Sequence, residues 1–362
     1  MISALAALTT LVSTLALLAI LRPLATYLRL TDQPGGRKDH VGEIPLVGGI
    51  AMFLGMVAGM SVVAGTEPST WYLLLAGTLL VIAGALDDRQ GLHYLVRLAA
   101  QVGATLIMVF GAGLIIADLG SPFGMGIIHL GPVAVVGTLL VTMTVINGFN
   151  FIDGVDGLAG SIALVALYAV ALAGGAAATT PLALVAMAAI IGFLVFNFPH
   201  DGENRLRTFM GDAGSTLLGL VVVWLTIAIS QGDARQISPV VGLWFALVPI
   251  ADFLTCFVRR IAQGRSPFSA GRDHFHHLLL LAGLTARQVV GLLTGAATVY
   301  AGIGLLGAAI GAPDWLMFSV WITLLVTQYR IVRRAAAWFE ERRPLQPAAP
   351  VAPQSIPQKR AA

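Results

Sequence analysis

The sequence predicts an all-α protein, a polytopic transmembrane helical bundle of about eleven spans. Three observations predict this fold class. Hydrophobic residues make up 57% of the 362-residue chain and charged residues only 11%, whereas a soluble domain carries about 25% charged residues. The apolar residues fall into runs of roughly 17–23, the length that crosses a bilayer as a helix. Short loops that contain Gly, Pro and charged residues separate these runs.

The apolar runs follow one another along most of the chain. The predicted spans are residues 2–21, 45–64, 71–86, 95–116, 132–149, 158–175, 181–198, 214–230, 239–258, 288–310 and 314–331. No charged leader precedes the first run, which is about 20 residues long, so we interpret it as a spanning helix and not as a cleaved signal peptide.

The distribution of Lys and Arg predicts the orientation of the bundle, because cytoplasmic loops carry the positive excess. With the N-terminus outside, an odd number of spans puts the C-terminus in the cytoplasm. Of the 21 Lys and Arg residues, only Arg235 then lies outside. The same orientation puts nearly all the unusual polar residues on the cytoplasmic face. The basic residues are spread over short loops with no long basic tract, so nucleic acid is not an expected partner.

The densest polar stretch is N-G-F-N-F-I-D-G-V-D-G-L, Asn147–Leu158, between two apolar runs. Its glycines predict that one helix ends near Asn150, the chain turns sharply, and another helix begins near Asp156. A spacing of three residues drifts by about 60° per step, so we do not expect these polar residues to share one helical face. Hard oxygen ligands crowded at a membrane surface are typical of Mg²⁺ held with a phosphate substrate. A polar turn that uses Asp and Asn as caps is the alternative.

Two further acidic motifs lie at predicted helix ends. Asp87 and Asp88 close the third span, where acids oppose the helix dipole unless a cation such as Arg97 offsets them. The pair is either a base or metal partner, with a pKa moved by its like-charged neighbour, or an interfacial anchor. In F-M-G-D-A-G-S, residues 209–215, Asp212 comes just before span eight. Free N–H groups at a helix start attract phosphate, although a simple N-cap requires only one of these features.

Three histidines and an arginine fall within residues 272–277, R-D-H-F-H-H. Arg and His are suitable donors to a diphosphate, and a solvated loop end is the alternative. Zinc fits less well, because we expect no cysteine near this run and the acids elsewhere favour magnesium. Cys256, the only cysteine, lies in an apolar run. Asp252 lies inside the ninth span, and an acid there is either functional or paired with a neighbouring helix.

The segments near the two ends of the chain differ in character. Loop 32–49 mixes basic residues, including Lys38 and His40, with turn formers. It is either a surface loop or a binding loop for an anionic headgroup. From about residue 344 onward Pro, Ala and Gln dominate, which is typical of disorder. We therefore predict an integral membrane domain over 1–335 and a largely disordered cytoplasmic tail over 336–362.

The motifs D-x-P-x-x-R-K-x-H…P-x-x-G-G, D-D, N-x-x-N-x-x-D-G-x-D-G-L, G-D-x-G-S and H-x-H-H occur in this order. Together they resemble the polyprenyl-phosphate N-acetylhexosamine-1-phosphate transferases, the glycosyltransferase 4 (MraY–WecA) superfamily. The resemblance covers roughly residues 1–335 and is closest to the WecA-like branch, whose members also have eleven spans and an outside N-terminus. Enzymes that use the muramyl-pentapeptide nucleotide have ten spans and a different histidine loop.

The resemblance implies an enzyme of the bacterial inner membrane with its active site on the cytoplasmic face. Such an enzyme transfers an N-acetylhexosamine 1-phosphate from a UDP-sugar to undecaprenyl phosphate, releases UMP and uses Mg²⁺, for which Mn²⁺ is a possible substitute. The implied metal ligands are Asp212 and Asn150. The implied catalytic residues are Asp87, Asp88, Asp153 and Asp156. The implied substrate-binding residues are Asn147, Arg97, Lys38, His40, Arg272, His274, His276 and His277.

Several alternatives stay open at this level. UDP-N-acetylglucosamine is the commonest donor in the branch, while N-acetylgalactosamine, N-acetylfucosamine and the muramyl-pentapeptide nucleotide are other donors of the same chemistry. Direct transfer and a phosphorylated Asp are both compatible with the motifs. A homodimer is plausible by family, and the glycan served, such as O-antigen, common antigen or teichoic acid, is not encoded in these motifs. A transporter would have acids near the bilayer midplane and broken helices in paired halves, and we find no internal repeat.

Overall fold

The computed structural model describes residues 2–33, 42–63, 68–175, 179–199, 206–233, 235–266 and 274–341, and most of these are helical. The helices are α1 Ile2–Leu28, α2 Gly48–Val62, α3 Pro68–Gln90, α4 Tyr94–Leu106, α5 Ala134–Ile152, α6 Leu158–Gly174, α7 Thr179–Asn197, α8 Gly211–Ser230, α9 Pro239–Phe245, α10 Leu247–Ala262, α11 Phe275–Leu281, α12 Ala286–Ala309 and α13 Asp314–Glu341. A π-helical turn, Ile107–Gly111, extends α4, and a 3₁₀ turn, Gly131–Val133, precedes α5. The strands β1 Thr31–Asp32 and β2 Ile44–Pro45 pair antiparallel.

The helices are those of a multi-pass membrane protein. Within the described residues, eight are long and apolar enough to cross a bilayer, or nine if the bent pair α9 and α10 is one span. Two shorter apolar helices, α2 and α6, correspond to the second and sixth predicted runs. The predicted helical class agrees with the structure, while the count of eleven crossings stays a prediction. The last helix continues to Glu341, six residues past the predicted domain boundary at 335.

Helix α8 forms the centre of the bundle. Its sequence is apolar on almost all sides, which is expected of a buried helix, and even its Trp224 is only 1% exposed. Glycines allow two neighbouring helices to approach it closely. A Cβ at Gly84 of α3 would overlap the backbone of Ala213, and a Cβ at Gly219 of α8 would overlap the backbone of Ile146 in α5. Small residues at such crossings are how membrane helices pack. This packing brings the C-terminal halves of α3 and α5 beside α8.

The ninth predicted span, 239–258, is not a single helix. It divides at Ala246 into α9 and α10, whose axes are bent by 83°. The reason is Pro249, which has no N–H to donate to the carbonyl of Phe245 four residues earlier. A proline is tolerated in the first turn of the helix that follows. The break directs α10, with its Asp252, towards the polar end of the bundle.

Candidate active site

The acid pair at the end of α3 contacts the first turn of α8. Asp88 Oδ1 accepts the backbone N–H of Asp212 at 3.0 Å, and its Oδ2 accepts that of Ala213 at 3.4 Å. Gly211 has a φ of +67° and abuts the Asp88 carboxylate so closely that a Cβ would overlap it. An acid at the C-terminus of α3 opposes the dipole of its own helix, and the free N–H groups of α8 offset that cost. Asp88 therefore joins two motifs that are far apart in sequence.

Arg97 of α4 lies between two acids. Its Nη1 is 3.0 Å from Asp87 Oδ2 and 3.2 Å from Asp212 Oδ2. Since the Arg97 side chain is 40% exposed, this ion pair contributes little to stability. Its effect is to hold a positive charge where carboxylates from two helices converge. Arg97 is thus the cation that the acidic pair was expected to need.

Helix α5 brings two carboxamides to the same place. Asn150 Nδ2 donates to Asp212 Oδ1 at 2.8 Å and to Ser215 Oγ at 3.0 Å. Asn147 and Gln101 exchange two side-chain hydrogen bonds, of 2.7 and 3.3 Å. The expectation that the polar residues of this stretch do not share one helical face agrees with the structure, because α5 ends at Ile152. Asn147 and Asn150, offset by about 60° on the helix, nevertheless line one cleft. Gln101 is buried in α4 and was not predicted, since nothing in its local sequence marks it.

The turn after α5 forms close to where it was predicted. Helix α5 ends at Ile152 and α6 begins at Leu158, each two residues later than expected. Gly157 closes the turn with a φ of +78°, which favours glycine. Its N–H donates to Asn197 Oδ1 at 2.7 Å, and Asn197 Nδ2 donates to the Thr208 carbonyl at 2.9 Å. These bonds attach the turn to the segment that leads into α8.

Two acids in this turn face the same cluster. Burial raises the pKa of the Asp153 carboxyl well above its usual value, and the charges of Asp212 and Asp156 raise it further. Asp156 Oδ2 accepts a hydrogen bond from Arg207 Nε at 2.6 Å. Arg207 was not among the predicted site residues, although its place two residues before the F-M-G-D motif was a usable signal. The raised pKa of Asp153 thus comes first from burial and then from the carboxylates around it.

Asp252 of α10 fixes the ring of His274. Its Oδ2 lies 2.8 Å from His274 Nδ1, and its Oδ1 accepts the N–H of Phe275 at 2.8 Å. Contrary to expectation, a thiol is close by, since Cys256 Sγ is 3.4 Å from the same ring nitrogen. Residues 252 and 256 are one helical turn apart, and α11 begins against that face of α10. The three groups lie within 4.8 Å of one another, but the hydrogen bonds to Asp252 already account for the arrangement.

His276 is buried beside the turn that follows α5. It is 1% exposed, and its ring abuts Gly154, where a Cβ would overlap Nε2. Neither ring nitrogen has a hydrogen-bond partner among the described residues. Burial lowers the pKa of His276 to about 3, so the ring is neutral at physiological pH. A neutral imidazole offers one N–H donor and one acceptor, and the described residues use neither of them.

Arg97, Asn147, Asn150 and Asp212 line a cleft of about 70 Å³, called the polar cleft after these four, whose other lining residues are mostly apolar. Its walls come from α3, α4, α5, α8 and α10, with these lining residues: Leu80, Ala83, Gly84, Tyr94, Arg97, Leu98, Ala100, Gln101, Asn147, Asn150, Phe151, Asp212, Thr216 and Phe253. Phe151 also meets the ring of His274 edge-on, with 4.9 Å between centroids. The predicted groups at α3, α5, α8 and α11 thus form one continuous site.

The loop between α1 and α2 is attached to the same region. Phe209 N–H donates to the Pro45 carbonyl at 2.8 Å, and Gly48 N–H donates to the Phe209 carbonyl at 3.0 Å. The described end of loop 32–49 therefore reaches the segment before Asp212. Three predicted substrate-binding residues lie outside the described residues and stay predictions: Lys38, His40 and Arg272.

A larger, mostly apolar cavity of about 180 Å³ lies further along α5 and α10. Val145 and Ile250 line it, one helical turn or less from Asn147 and Phe253 of the polar cleft. The rest of its wall comes chiefly from α8 and α9. A lipid with an anionic head group and an apolar chain fits this arrangement of a polar cleft and an apolar cavity.

The donor set of the cleft fits a hard divalent cation. Carboxylate and carboxamide oxygens are the ligands that Mg²⁺ takes in proteins. Asp88, Asn150 and Asp212 supply such oxygens from three helices, within a network of direct hydrogen bonds. The charges of Asp212 and Asp156 add to the effect of burial in raising the pKa of Asp153, and a bound cation would offset those charges. The residues present therefore suit magnesium or manganese.

Comparison with known proteins agrees with this geometry. The family model described as glycosyl transferase family 4 matches residues 70–230. A Yersinia pestis undecaprenyl-phosphate alpha-N-acetylglucosaminyl 1-phosphate transferase is 36% identical over 325 residues, covering 89% of each chain. The protein of the same name from Escherichia coli K12 is 36% identical over 87% of this chain and 86% of its own. That from Pasteurella multocida is 35% identical over 90% of this chain and 93% of its own. This chain is therefore a sugar-1-phosphate transferase that belongs to glycosyl transferase family 4.

Proposed function

We propose that this chain transfers N-acetylglucosamine 1-phosphate from UDP-N-acetylglucosamine to undecaprenyl phosphate and releases UMP. The observation that carries the proposal is that Asp88, Arg97 and Asn150 all contact Asp212. Its N–H is held by Asp88, and its carboxylate meets both Arg97 and Asn150. The named activity of relatives that align with most of the chain supports the choice of substrates.

In this reaction the bond between the α- and β-phosphates of the donor breaks. A new bond joins the β-phosphorus to an oxygen of the acceptor phosphate, and the bridging oxygen leaves with UMP. Because both reactants are anions, the site must offset their repulsion before they can approach. Arg97 supplies a fixed positive charge beside Asp87 and Asp212. Positioning and charge neutralisation are then the main contributions to rate.

Magnesium would be held by Asp212 and Asn150, with Asp88 or Asp153 close by. When bound, the ion would polarise phosphate oxygens and offset their charge. Asp88 already holds the start of α8 through two backbone N–H groups, so its part is to position Asp212. Asp153, whose elevated pKa favours its protonated form, is the candidate to exchange a proton with a phosphate oxygen.

The nucleotide side of the donor is assigned to the turn after α5 and the histidine helix. His276 has both ring nitrogens available among the described residues and lies against Gly154. As a neutral ring it can donate to a phosphate or accept from a ribose or base. His274 keeps its ring orientation through Asp252. Asp156, paired with Arg207, borders the same region.

The acceptor lipid is assigned to the two cavities, with its phosphate in the polar cleft and its chain in the apolar cavity that Val145 and Ile250 line. A polyprenyl chain stays in the bilayer, so its phosphate must be met at the membrane interface. The helix order supports this geometry, since the cleft lies where α3 and α5 end and α4 and α8 begin.

We further propose eleven crossings of the bacterial inner membrane, with the N-terminus outside, the C-terminus in the cytoplasm and the site at the cytoplasmic face. The long helices, the bent pair and the two shorter apolar helices supply the segments required. Arg235, the one basic residue assigned outside, pairs with Asp118 at the opposite end of α4 and α5 from the site. The arginines at the end of α13 lie on the other side, as the positive excess of cytoplasmic loops requires.

The test is UMP release by the purified full-length protein in detergent with undecaprenyl phosphate, Mg²⁺ and a panel of UDP-sugars. We expect UMP and lipid-linked sugar in equal amounts with UDP-N-acetylglucosamine, and loss of both products on chelation of Mg²⁺. A clear preference for another N-acetylhexosamine or for the muramyl-pentapeptide nucleotide would show that UDP-N-acetylglucosamine is not the donor. No UMP with any of them would contradict the proposed reaction.

A further inference from the structure

A second hydrophobic cluster lies apart from the main core, where the end of α13 meets the histidine helix α11. Its buried members are Leu278 of α11, 6% exposed, with Val332 and Ala336 of α13, 0% and 7% exposed. Phe275 and Phe339 pack against them. Val332 and Ala336 are four residues apart and so share one helical face.

Helix α13 is buried in the protein near both of its ends: Met317 and Trp321 are 6% and 5% exposed, and Val332 is 0% exposed. The helix has 28 residues, and at 1.5 Å per residue its length of about 42 Å exceeds the roughly 30 Å hydrocarbon core. Only 17% of its most apolar stretch is buried in the protein. Val332 is nevertheless completely buried, whereas its neighbour Ile331 is 52% exposed. The C-terminal end of α13 therefore makes a specific contact of its own.

Helix α11 depends on tertiary contacts of this kind for its stability. It has seven residues, and helices that short are not stable without tertiary packing. One anchor is the bond from Phe275 N–H to Asp252. The second anchor is Leu278, whose side chain packs in the α13 cluster. His276 and His277 lie between these two anchors, so their ring positions depend on both.

We infer that Val332 and Ala336 are positioning residues for the reaction: they brace α11 so that His276 faces the turn after α5. This inference rests on the proposed function for its effect on rate. A misplacement of about 1 Å at a reacting group costs on the order of 100-fold in rate, so a small shift of α11 is enough. The brace contacts neither the cleft nor the acids around Asp212.

The test compares Val332→Ser with the matched neighbour Ile331→Ser in full-length protein. We expect Val332→Ser to lower kcat by about 10- to 100-fold, with the KM for undecaprenyl phosphate unchanged, while Ile331→Ser keeps the wild-type rate. Ala336→Phe, which overfills the cluster, is expected to act in the same direction. Thermal melting of each variant shows whether the bundle stays folded.

Hydrogen exchange of the backbone amides of residues 275–281 measures how firmly α11 is held. This measurement does not depend on activity. Val332→Ser should raise exchange there and leave α8 unchanged, and Ile331→Ser should change neither. Equal exchange in the two variants would overturn the brace, as would a rate loss without increased exchange in α11. If the wild type releases no UMP, the proposed reaction fails, yet the exchange experiment still decides whether α13 holds α11.

Discussion

Replacing Asp212 by Asn is expected to reduce transfer by a factor on the order of 10³, the largest effect of any conservative change in the site. Asp212 is the point where the N–H held by Asp88, the guanidinium of Arg97 and the amide of Asn150 meet. Asn keeps the size of the side chain and one oxygen acceptor for Asn150. The variant therefore removes one negative charge and should leave the fold intact. The rate of UMP release and the melting temperature are the measurements.

Asp118→Asn is the matched control for that variant. Asp118 also carries an arginine partner, with Arg235 Nη1 at 3.1 Å, but it lies in the segment between α4 and α5 at the far end of the bundle. Its loss is expected to leave the rate within about twofold, because an exposed ion pair contributes 0–1 kcal/mol at most. An Asp212→Asn enzyme as fast as Asp118→Asn would remove Asp212 from the catalytic machinery.

Gly211→Ala is expected to abolish most activity at a modest cost in stability. The residue has a φ of +67°, which costs an L-residue roughly 1–2 kcal/mol. Its new Cβ would also overlap the Asp88 carboxylate and displace it from the first turn of α8. Because Asp88 positions Asp212, we expect the rate to fall by about 100-fold. Melting temperature and UMP release would be measured together.

Gly311→Ala separates the two effects. Gly311 has nearly the same φ, +65°, with no atom within 4 Å of an added Cβ. It lies between α12 and α13, away from the cleft. We expect a similar fall in melting temperature and an unchanged rate. If both variants lose activity equally, backbone strain and not the contact with Asp88 is responsible.

Local sequence features were sufficient to predict the helices and the central turn. The glycines of Asn147–Leu158 and the apolar runs on either side located the turn to within two residues at each end. The acids were predicted to form one cluster because every motif falls at a helix end on the same face of the predicted bundle. The resemblance then assigned roles to them. These predictions depend on the spacing of the apolar residues and on the order of the motifs along the chain. A single sequence shows both.

Pairings across helices could not be predicted in this way. Gln101 with Asn147, and Cys256 beside His274, depend on how far each helix is rotated about its axis, which the packing of small residues determines. The break between α9 and α10 is a different case, since Pro249 was a visible signal within an otherwise uniform apolar run. Arg207 was likewise visible, but its partner Asp156 was not.

The central claim is that oxygen ligands from separate helices hold a divalent cation at Asp212. Mn²⁺ binding to the purified full-length protein, followed by electron paramagnetic resonance, tests it most directly. We predict a saturable site in the wild type and in Asp118→Asn, and at least about tenfold weaker binding in Asp212→Asn. Equal Mn²⁺ affinity in all three proteins would contradict the claim.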